Sequence, residues 1–125
     1  MQEINSKKDI KKMVDYFYVK VRKDEHLAPV FNARIAKNEW QVHLNKMYAF
    51  WESVLFHKAS YKGNPFEKHV NLPVENLHFE QWVNLFTETV DENFYGDVAK
   101  DAKMKAKSIA YIFSSKILGN SFTIN

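Results

Sequence analysis

Apolar residues recur every three or four positions along four long segments of this 125-residue chain. That spacing puts them on one face of an α-helix, whereas a half-buried strand needs apolar and polar residues in alternation, which no segment sustains. We therefore predict an all-α protein with four long helices and no sheet. The predicted apolar faces are Ile10, Met13, Val14, Phe17 and Val21; Trp40, Leu44, Met47, Phe50, Trp51 and Val54; Phe79, Trp82, Val83, Phe86 and Val90; Ala102, Ala106, Ile109, Ala110, Phe113 and Ile117.

The first predicted helix has a clear start and a proline beyond its end. Ser6 and Asp9 are spaced as in a capping box, which begins the helix, and we expect it to extend to about Asp24. Pro29 stops any continuation, so Phe31 is expected in a connector.

Prolines and glycines also bound the later segments. Between Pro65 and Pro73 there is room for one or two turns, so "FEKHVNL" predicts a short helix. Asp97 is the expected N-cap of the last long helix, which should end at Gly119.

Length and composition restrict the class of protein. A chain of this size buries one core, so residues 1–125 are predicted to be a single domain. With no cysteine there is no disulfide, thiolate metal site or cysteine nucleophile, which favours a reducing, cytoplasmic setting. No apolar run reaches the roughly 18 residues of a membrane span, so we expect no membrane partner and no cleaved leader. The aromatic fraction of 15% leaves room for a large, flat apolar ligand.

The formal charge of +3 comes from lysines spread along the chain, with one concentration in "KDAKMKAK". Lys100, Lys103 and Lys107 fall on one side of a helix, which is most often a solvated face. A nucleic-acid-binding helical module is therefore a remote alternative, and we expect no nucleic-acid partner.

Helical phase separates four of the five histidines. His26 lies at a helix end beside charges and His57 in a loop, so both are expected at the surface. His43 lies within an apolar face and is predicted to point toward the core. His78 lies about 100° from the centre of its helix's apolar stripe, which suits a boundary residue.

His69 lies on the short segment between Pro65 and Pro73, where an apolar, stiff support can fix one imidazole. For a lone histidine the alternative is a core side chain bonded to a backbone carbonyl, but His43 and His69 form an inward pair. No H-x-x-x-H or H-E-x-x-H spacing is present, which disfavours zinc. An apolar slot with one histidine on each side instead suits haem, with one imidazole on iron and a polar group opposite.

The segments "YFYVKVRKDEHLAPVF", "WQVHLNKMYAFW", "YKGNPFEKHVNLP" and "HFEQWVNLF" together resemble the group III truncated haemoglobins. The chain has only three isolated glycines, as that group does, and lacks the Gly-Gly pairs of other truncated haemoglobins. The resemblance implies a globin-like, truncated two-over-two helical sandwich around haem b (iron protoporphyrin IX). The family's "H-x-x-L-P" segment makes His69, and not His78, the implied iron ligand.

The resemblance also implies which residues lie on the distal side of the haem, opposite the iron ligand. The distal residues correspond to Tyr18, His43 and Trp82, and Phe31 is the aromatic that packs against the ring. Lys46 and Tyr61 are candidates for the haem propionates, although an ordinary surface lysine and a loop-packing tyrosine are equally good interpretations. The remaining candidates, any of which could be plain core, are Met47, Phe50, Phe66, Leu72 and Phe86.

Two distal donors predict tight oxygen binding, because Tyr18 and Trp82 can each donate a hydrogen bond to a ligand that carries partial charge. Tight binding favours redox chemistry of O₂, NO or peroxide, such as NO dioxygenation or peroxidase-like reactions, over bulk transport. The chain has no glycine loop for a flavin or nicotinamide, so a separate reductase is expected. A non-enzymatic oxygen buffer or gas sensor, binding O₂, NO or CO, is the alternative.

Overall fold

The computed structural model describes residues 1–58, residue 61 and residues 74–118. A 3₁₀ turn, Lys37–Glu39, and two short strands, β1 (Gln2–Glu3) and β2 (Phe94–Tyr95), accompany the helices. The helices are α1 (Lys7–Val21), α2 (Leu27–Arg34), α3 (Trp40–Phe56), α4 (Asn76–Asn93) and α5 (Asp97–Leu118). No helix in this part of the chain is both long and apolar enough to cross a membrane.

The long helices form two pairs, α1 with α3 and α4 with α5, and the pairs stack through contacts of α1 with α4 and of α3 with α5. The predicted all-α, two-over-two sandwich is thereby confirmed. At the surface, Lys20 on α1 forms salt bridges to α4 in the other pair: its Nζ lies 2.7 Å from a carboxylate oxygen of both Glu88 and Glu92.

The start of α1 follows the predicted cap. The backbone N–H of Asp9 donates to Oγ of Ser6 at 3.3 Å, and that hydroxyl donates to the Asp9 carboxylate at 3.0 Å. The carboxylate also accepts from the backbone N–H of Asn5 at 3.1 Å and from the side-chain amide of Gln2. Burial alone would raise the pKa of Asp9, but these hydrogen bonds together lower it.

The predicted end of α1 and the connector after it were wrong. α1 ends at Val21, and Asp24 lies between α1 and α2, where its carboxylate accepts from the backbone N–H of His26 at 3.0 Å and of Leu27 at 2.9 Å. Pro29 lies in the first turn of α2, where a missing N–H removes no helical hydrogen bond. Phe31 is therefore a helical residue, not part of a connector.

The prediction of no sheet was also wrong, because the structure contains a small sheet of two strands with two residues each. β1 pairs in parallel with β2, with Gln2 opposite Phe94 and Glu3 opposite Tyr95. Strands this short carry no readable alternation of apolar and polar residues. Gly96 follows β2 at φ +98°, a left-handed backbone conformation that favours glycine.

The core is centred on aromatic rings from three helices. Phe86 is fully buried and stacks with Trp51 at 4.7 Å and with Trp82 at 5.8 Å between ring centroids. Phe17 meets Phe86 edge-on at 5.2 Å. α5 contributes mainly small side chains, which allow its backbone to approach α4 closely; its buried residues are Ala99, Ala102, Ala106, Ala110 and Ser114.

Two predictions fall outside the described residues. They are the short helix between Pro65 and Pro73, which carries Phe66, His69 and Leu72, and the stop at Gly119. The described part of the last helix ends at Leu118.

Replacing the cap residue tests the start of α1. Ser6→Ala removes the acceptor for the Asp9 N–H and should lower the free energy of unfolding in urea by about 1 kcal/mol. Ser108→Ala, an exposed serine within α5, is the matched control and should change stability by less than about 0.5 kcal/mol. Equal effects of the two substitutions would contradict a capping role for Ser6.

Candidate functional site

A largely apolar cleft that is partly open to solvent lies among the helices. All five helices and Val74 supply its walls. The lining side chains are Tyr18; Leu27, Val30 and Phe31; Met47, Phe50 and Trp51; His78, Phe79 and Trp82; Ile109, Ala110, Phe113 and Ile117.

Five of the predicted site residues share this cleft, namely Tyr18, Phe31, Met47, Phe50 and Trp82. They come from four different helices, so the fold brings together side chains up to 64 positions apart in the sequence. The cleft therefore joins distal candidates and ring-lining candidates on one continuous surface.

Tyr18 places a hydroxyl in an otherwise apolar wall. The side chain is only 5% exposed, and its ring meets the rings of Phe17 at 5.0 Å and Phe31 at 6.0 Å, both nearly edge-on. Burial raises the pKa of the Tyr18 phenol far above its ordinary value. Near neutral pH a phenol is protonated even at its ordinary pKa of 10.0, so the hydroxyl can donate a hydrogen bond there.

His43 stands beside Tyr18 on α3. Its ring meets the Tyr18 ring edge-on, with centroids 5.2 Å apart and planes at 90°, and it meets Trp40 at 5.6 Å in the same manner. The side chain is half-buried, in keeping with the prediction that it points inward. It touches the cleft wall through the phenol ring.

Trp82 is held by two rings of the core. Phe17 meets it edge-on at 5.4 Å, and Phe86 stacks on it with planes only 15° apart. Phe86 itself, predicted to line the haem, is fully buried and packs behind Trp82 and Trp51. It supports the wall of the cleft from the core side.

The weaker candidates occupy the periphery. Lys46 is exposed on α3. Tyr61 donates its backbone N–H to Oγ of Ser53 at 2.8 Å and meets Phe50 edge-on at 5.5 Å, so it packs against a residue of the cleft. The predicted iron ligand His69, together with Phe66 and Leu72, lies outside the described residues.

Several cleft residues were not assigned to the site from the sequence. The far wall is formed by α5 through Ile109, Phe113 and Ile117, whose helical spacing predicted an apolar face but not what that face contacts. His78, predicted as a boundary residue, is half-buried at the cleft, and its Nδ1 accepts the backbone N–H of Glu75 at 2.9 Å.

The described walls fit a haem by their chemistry. A porphyrin is broad, flat and apolar apart from its propionates, and aromatic and aliphatic side chains from five helices surround the space. The polar groups at the cleft are hydrogen-bond donors, such as the Tyr18 hydroxyl and the Trp82 indole, that can meet a small ligand on the metal.

Comparison with known proteins gives one consistent result. A family model described as bacterial-like globin matches residues 2–114. The group 3 truncated hemoglobin ctb of Campylobacter jejuni is 33% identical over 118 residues, which cover 92% of this chain and 93% of that protein. The crystal structure of the group III truncated hemoglobin from Campylobacter jejuni superposes with a TM-score of 0.85 at 32% identity, covering 94% of this chain and 95% of the other.

The buried phenol predicts a loss of stability in alkali. Unfolded, Tyr18 loses its proton near pH 10.0, whereas the folded protein holds it protonated to higher pH. Stability is therefore complete below pH 10.0 and falls as the pH rises, by about 1.4 kcal/mol per pH unit for this group. Tyr18→Phe should flatten the decline measured by urea unfolding between pH 9 and pH 11, a window of roughly two pH units around the ordinary tyrosine pKa.

Tyr48 adds to the same decline in the wild-type protein and in the variant, because burial, followed by its hydrogen bond to Asp15, raises its pKa to about 12. Tyr16→Phe, at a position that is 45% exposed, is the matched control and should keep the wild-type slope. A Tyr18→Phe variant with the wild-type slope would contradict the assigned burial.

Proposed function

Since the chain belongs to the bacterial-like globin family, and within it to the group III truncated haemoglobins, we propose that it holds haem b in the cleft and binds O₂ and related diatomic ligands tightly. The observation that carries this proposal is the buried Tyr18 phenol, which lines the same apolar cleft as Trp82. The iron of the haem, when bound, supplies the centre on which O₂, NO or CO binds.

The residues that hold the cofactor follow from the cleft and the family resemblance. His69 is the proposed iron ligand, by its place in the family's "H-x-x-L-P" segment. Phe31, Met47 and Phe50 line the cleft and would pack on the porphyrin. Lys46 is exposed on the flank of α3 and remains a candidate for a propionate, for which its charge is suited.

Tyr61 is the second candidate for a propionate, and Phe66 and Leu72 are further candidates to line the ring. Tyr61 reaches the edge of the cleft through its contact with Phe50. The assignments of Phe66 and Leu72 rest on the resemblance. Phe86 would act by supporting Trp82 from behind.

The distal side is proposed to stabilise a ligand that carries partial negative charge. Tyr18 donates its O–H, Trp82 donates its indole N–H, and His43 donates or accepts according to its tautomer. A hydrogen bond to a charged acceptor contributes about 1.5–3 kcal/mol, and each 1.4 kcal/mol is a factor of ten. Two such donors would slow the release of O₂ by about a hundredfold or more.

Slow release favours chemistry over delivery. We propose redox chemistry of O₂, NO or peroxide, with NO dioxygenation and peroxidase-like reactions as the candidates. The chain has no glycine loop for a dinucleotide, so electrons would come from a separate reductase. Steady-state consumption of NO or peroxide in the presence of a reductase supports this function, and tight binding without turnover would indicate an oxygen buffer or gas sensor instead.

The lysine-rich segment of α5 gives the nucleic-acid alternative little support. Nζ of Lys103 lies 2.6 Å from a carboxylate oxygen of Asp91, and Nζ of Lys105 lies 3.9 Å from one of Asp101. Carboxylates therefore interrupt the positive charge of this face, as expected of a solvated helix surface.

The distal donors are tested by the dissociation rate of O₂ from the ferrous protein. Tyr18→Phe and Trp82→Phe each remove one donor while keeping an aromatic ring in place, and each should raise the rate about tenfold. Tyr16→Phe, outside the cleft, is the control and should leave the rate unchanged. Wild-type rates in both cleft variants would refute tight binding through these donors.

The iron ligand is tested by absorption spectra of the ferric and ferrous protein. His69→Ala should abolish the wild-type coordination spectrum, and added imidazole should restore it, because the deleted group is the ligand itself. His78→Ala removes the other histidine of the same region and should leave the spectrum unchanged. Retention of the iron bond in His69→Ala, or its loss in His78→Ala, would overturn the assignment.

A further inference from the structure

Three aromatic rings meet beside the predicted distal site. Trp40, the first residue of α3, is 4% exposed and meets Tyr18 nearly edge-on at 5.9 Å between centroids. It also meets His43 edge-on at 5.6 Å, and Tyr18 and His43 meet each other at 5.2 Å. Trp40 therefore touches both of the side chains that are assigned to the distal side from α1 and α3.

Trp40 is in turn held from α1 and α2. The guanidinium carbon of Arg22 lies 4.4 Å from the centroid of the Trp40 ring, well within the range of a cation–π contact. Phe31 stacks with the same indole at 6.4 Å, with planes 21° apart. The backbone N–H of Arg22 donates to the carbonyl of Tyr18 at 3.0 Å, so the arginine is anchored one turn after the phenol.

We propose that Arg22 and Trp40 are positioning residues for the distal hydrogen bonds: the guanidinium of Arg22 fixes the indole of Trp40, and the indole fixes the rings of Tyr18 and His43. This inference rests on the proposed role of Tyr18 as a distal donor. A hydrogen bond weakens steeply once its donor angle falls below about 120°, so a rotation of the phenol ring that turns its O–H away from the ligand would cost much of its contribution. Neither Arg22 nor Trp40 needs to touch the ligand to act in this way.

Arginine suits this role better than lysine. Its guanidinium is planar and stacks on an aromatic face, whereas an ammonium is a compact, strongly hydrated charge. Arg22 is exposed and lies in a surface groove between α1 and α3 that Lys11, Lys23 and Tyr18 also line. The position is accessible to substitution without opening the core, since Arg22 is exposed.

The experiment compares three charge variants of the haem-loaded protein. Arg22→Gln removes the cation and should raise the O₂ dissociation rate about two- to fivefold, the factor that corresponds to a partly exposed cation–π contact. Arg22→Lys keeps a cation over the ring and should recover part of the wild-type rate. Lys23→Gln removes the same charge from the neighbouring residue and should leave the rate at the wild-type value.

A second readout separates positioning from a general loss of stability. In the carbon monoxide form, the infrared C–O stretching band reports the polar groups next to the ligand. Arg22→Gln should broaden or split this band, because the distal donors populate several orientations, while Lys23→Gln keeps the wild-type band. An unchanged band and an unchanged dissociation rate in Arg22→Gln would overturn the proposal, even if its melting temperature falls.

The order of action is tested by adding Trp40→Leu, which removes the aromatic face under the guanidinium. If Arg22 acts through the indole, Arg22→Gln should change the dissociation rate much less in the Trp40→Leu background than in the wild type, and full additivity would contradict the coupling. Tyr18→Phe in the same assay separates the positioning role of Arg22 from the distal role of Tyr18. A faster release in Tyr18→Phe with no effect of Arg22→Gln removes only the positioning role, whereas no effect of Tyr18→Phe removes the proposed distal function.

Discussion

Burial of the Tyr18 phenol is the constraint on which the cleft depends. Burying a hydroxyl in an apolar wall costs free energy. The fold holds the Tyr18 ring in place by surrounding it with aromatic neighbours from three helices. The adjacent residue Phe17 points about 100° away around α1 and enters the core against Phe86. One turn of α1 thus places Phe17 in the core and Tyr18 in the wall of the cleft. The packing of Phe17 in the core therefore helps to fix the position of the Tyr18 phenol.

α4 repeats this arrangement on the opposite side of the cleft. Trp82 faces the cleft, and Phe86, one turn later, stacks behind it in the core. The small residues of α5 allow close packing against α4, while Phe113 and Ile117 near its end are large and line the cleft. Large residues near the end of α5 therefore form part of the cleft wall, beyond the small residues that pack against α4.

Much of this fold could be predicted from the sequence, because four helices are long enough for their apolar period to repeat. Helical phase also gave the inward direction of His43. α2 was missed since its eight residues give about two turns, and Pro29 has opposite meanings inside a helix and in its first turn. The far wall on α5 was missed for a different reason: periodicity defines the apolar face of a helix, but only the assembled fold shows which part of that face is left open as a cleft.

The distribution of charge explains why the distal chemistry is assigned to neutral donors. Among the described lining residues there is no carboxylate, lysine or arginine, and the charged pairs that the structure describes lie outside the cleft, as in Lys20 with Glu88. An unpaired charge in such an apolar space would cost several kcal/mol, whereas a phenol or an indole costs less and donates without a change in protonation near neutral pH. The low dielectric that excludes charges strengthens the remaining hydrogen bonds. Arg22 is not among the lining residues of the cleft, but its guanidinium contacts the ring of Trp40, which in turn meets the phenol ring of Tyr18.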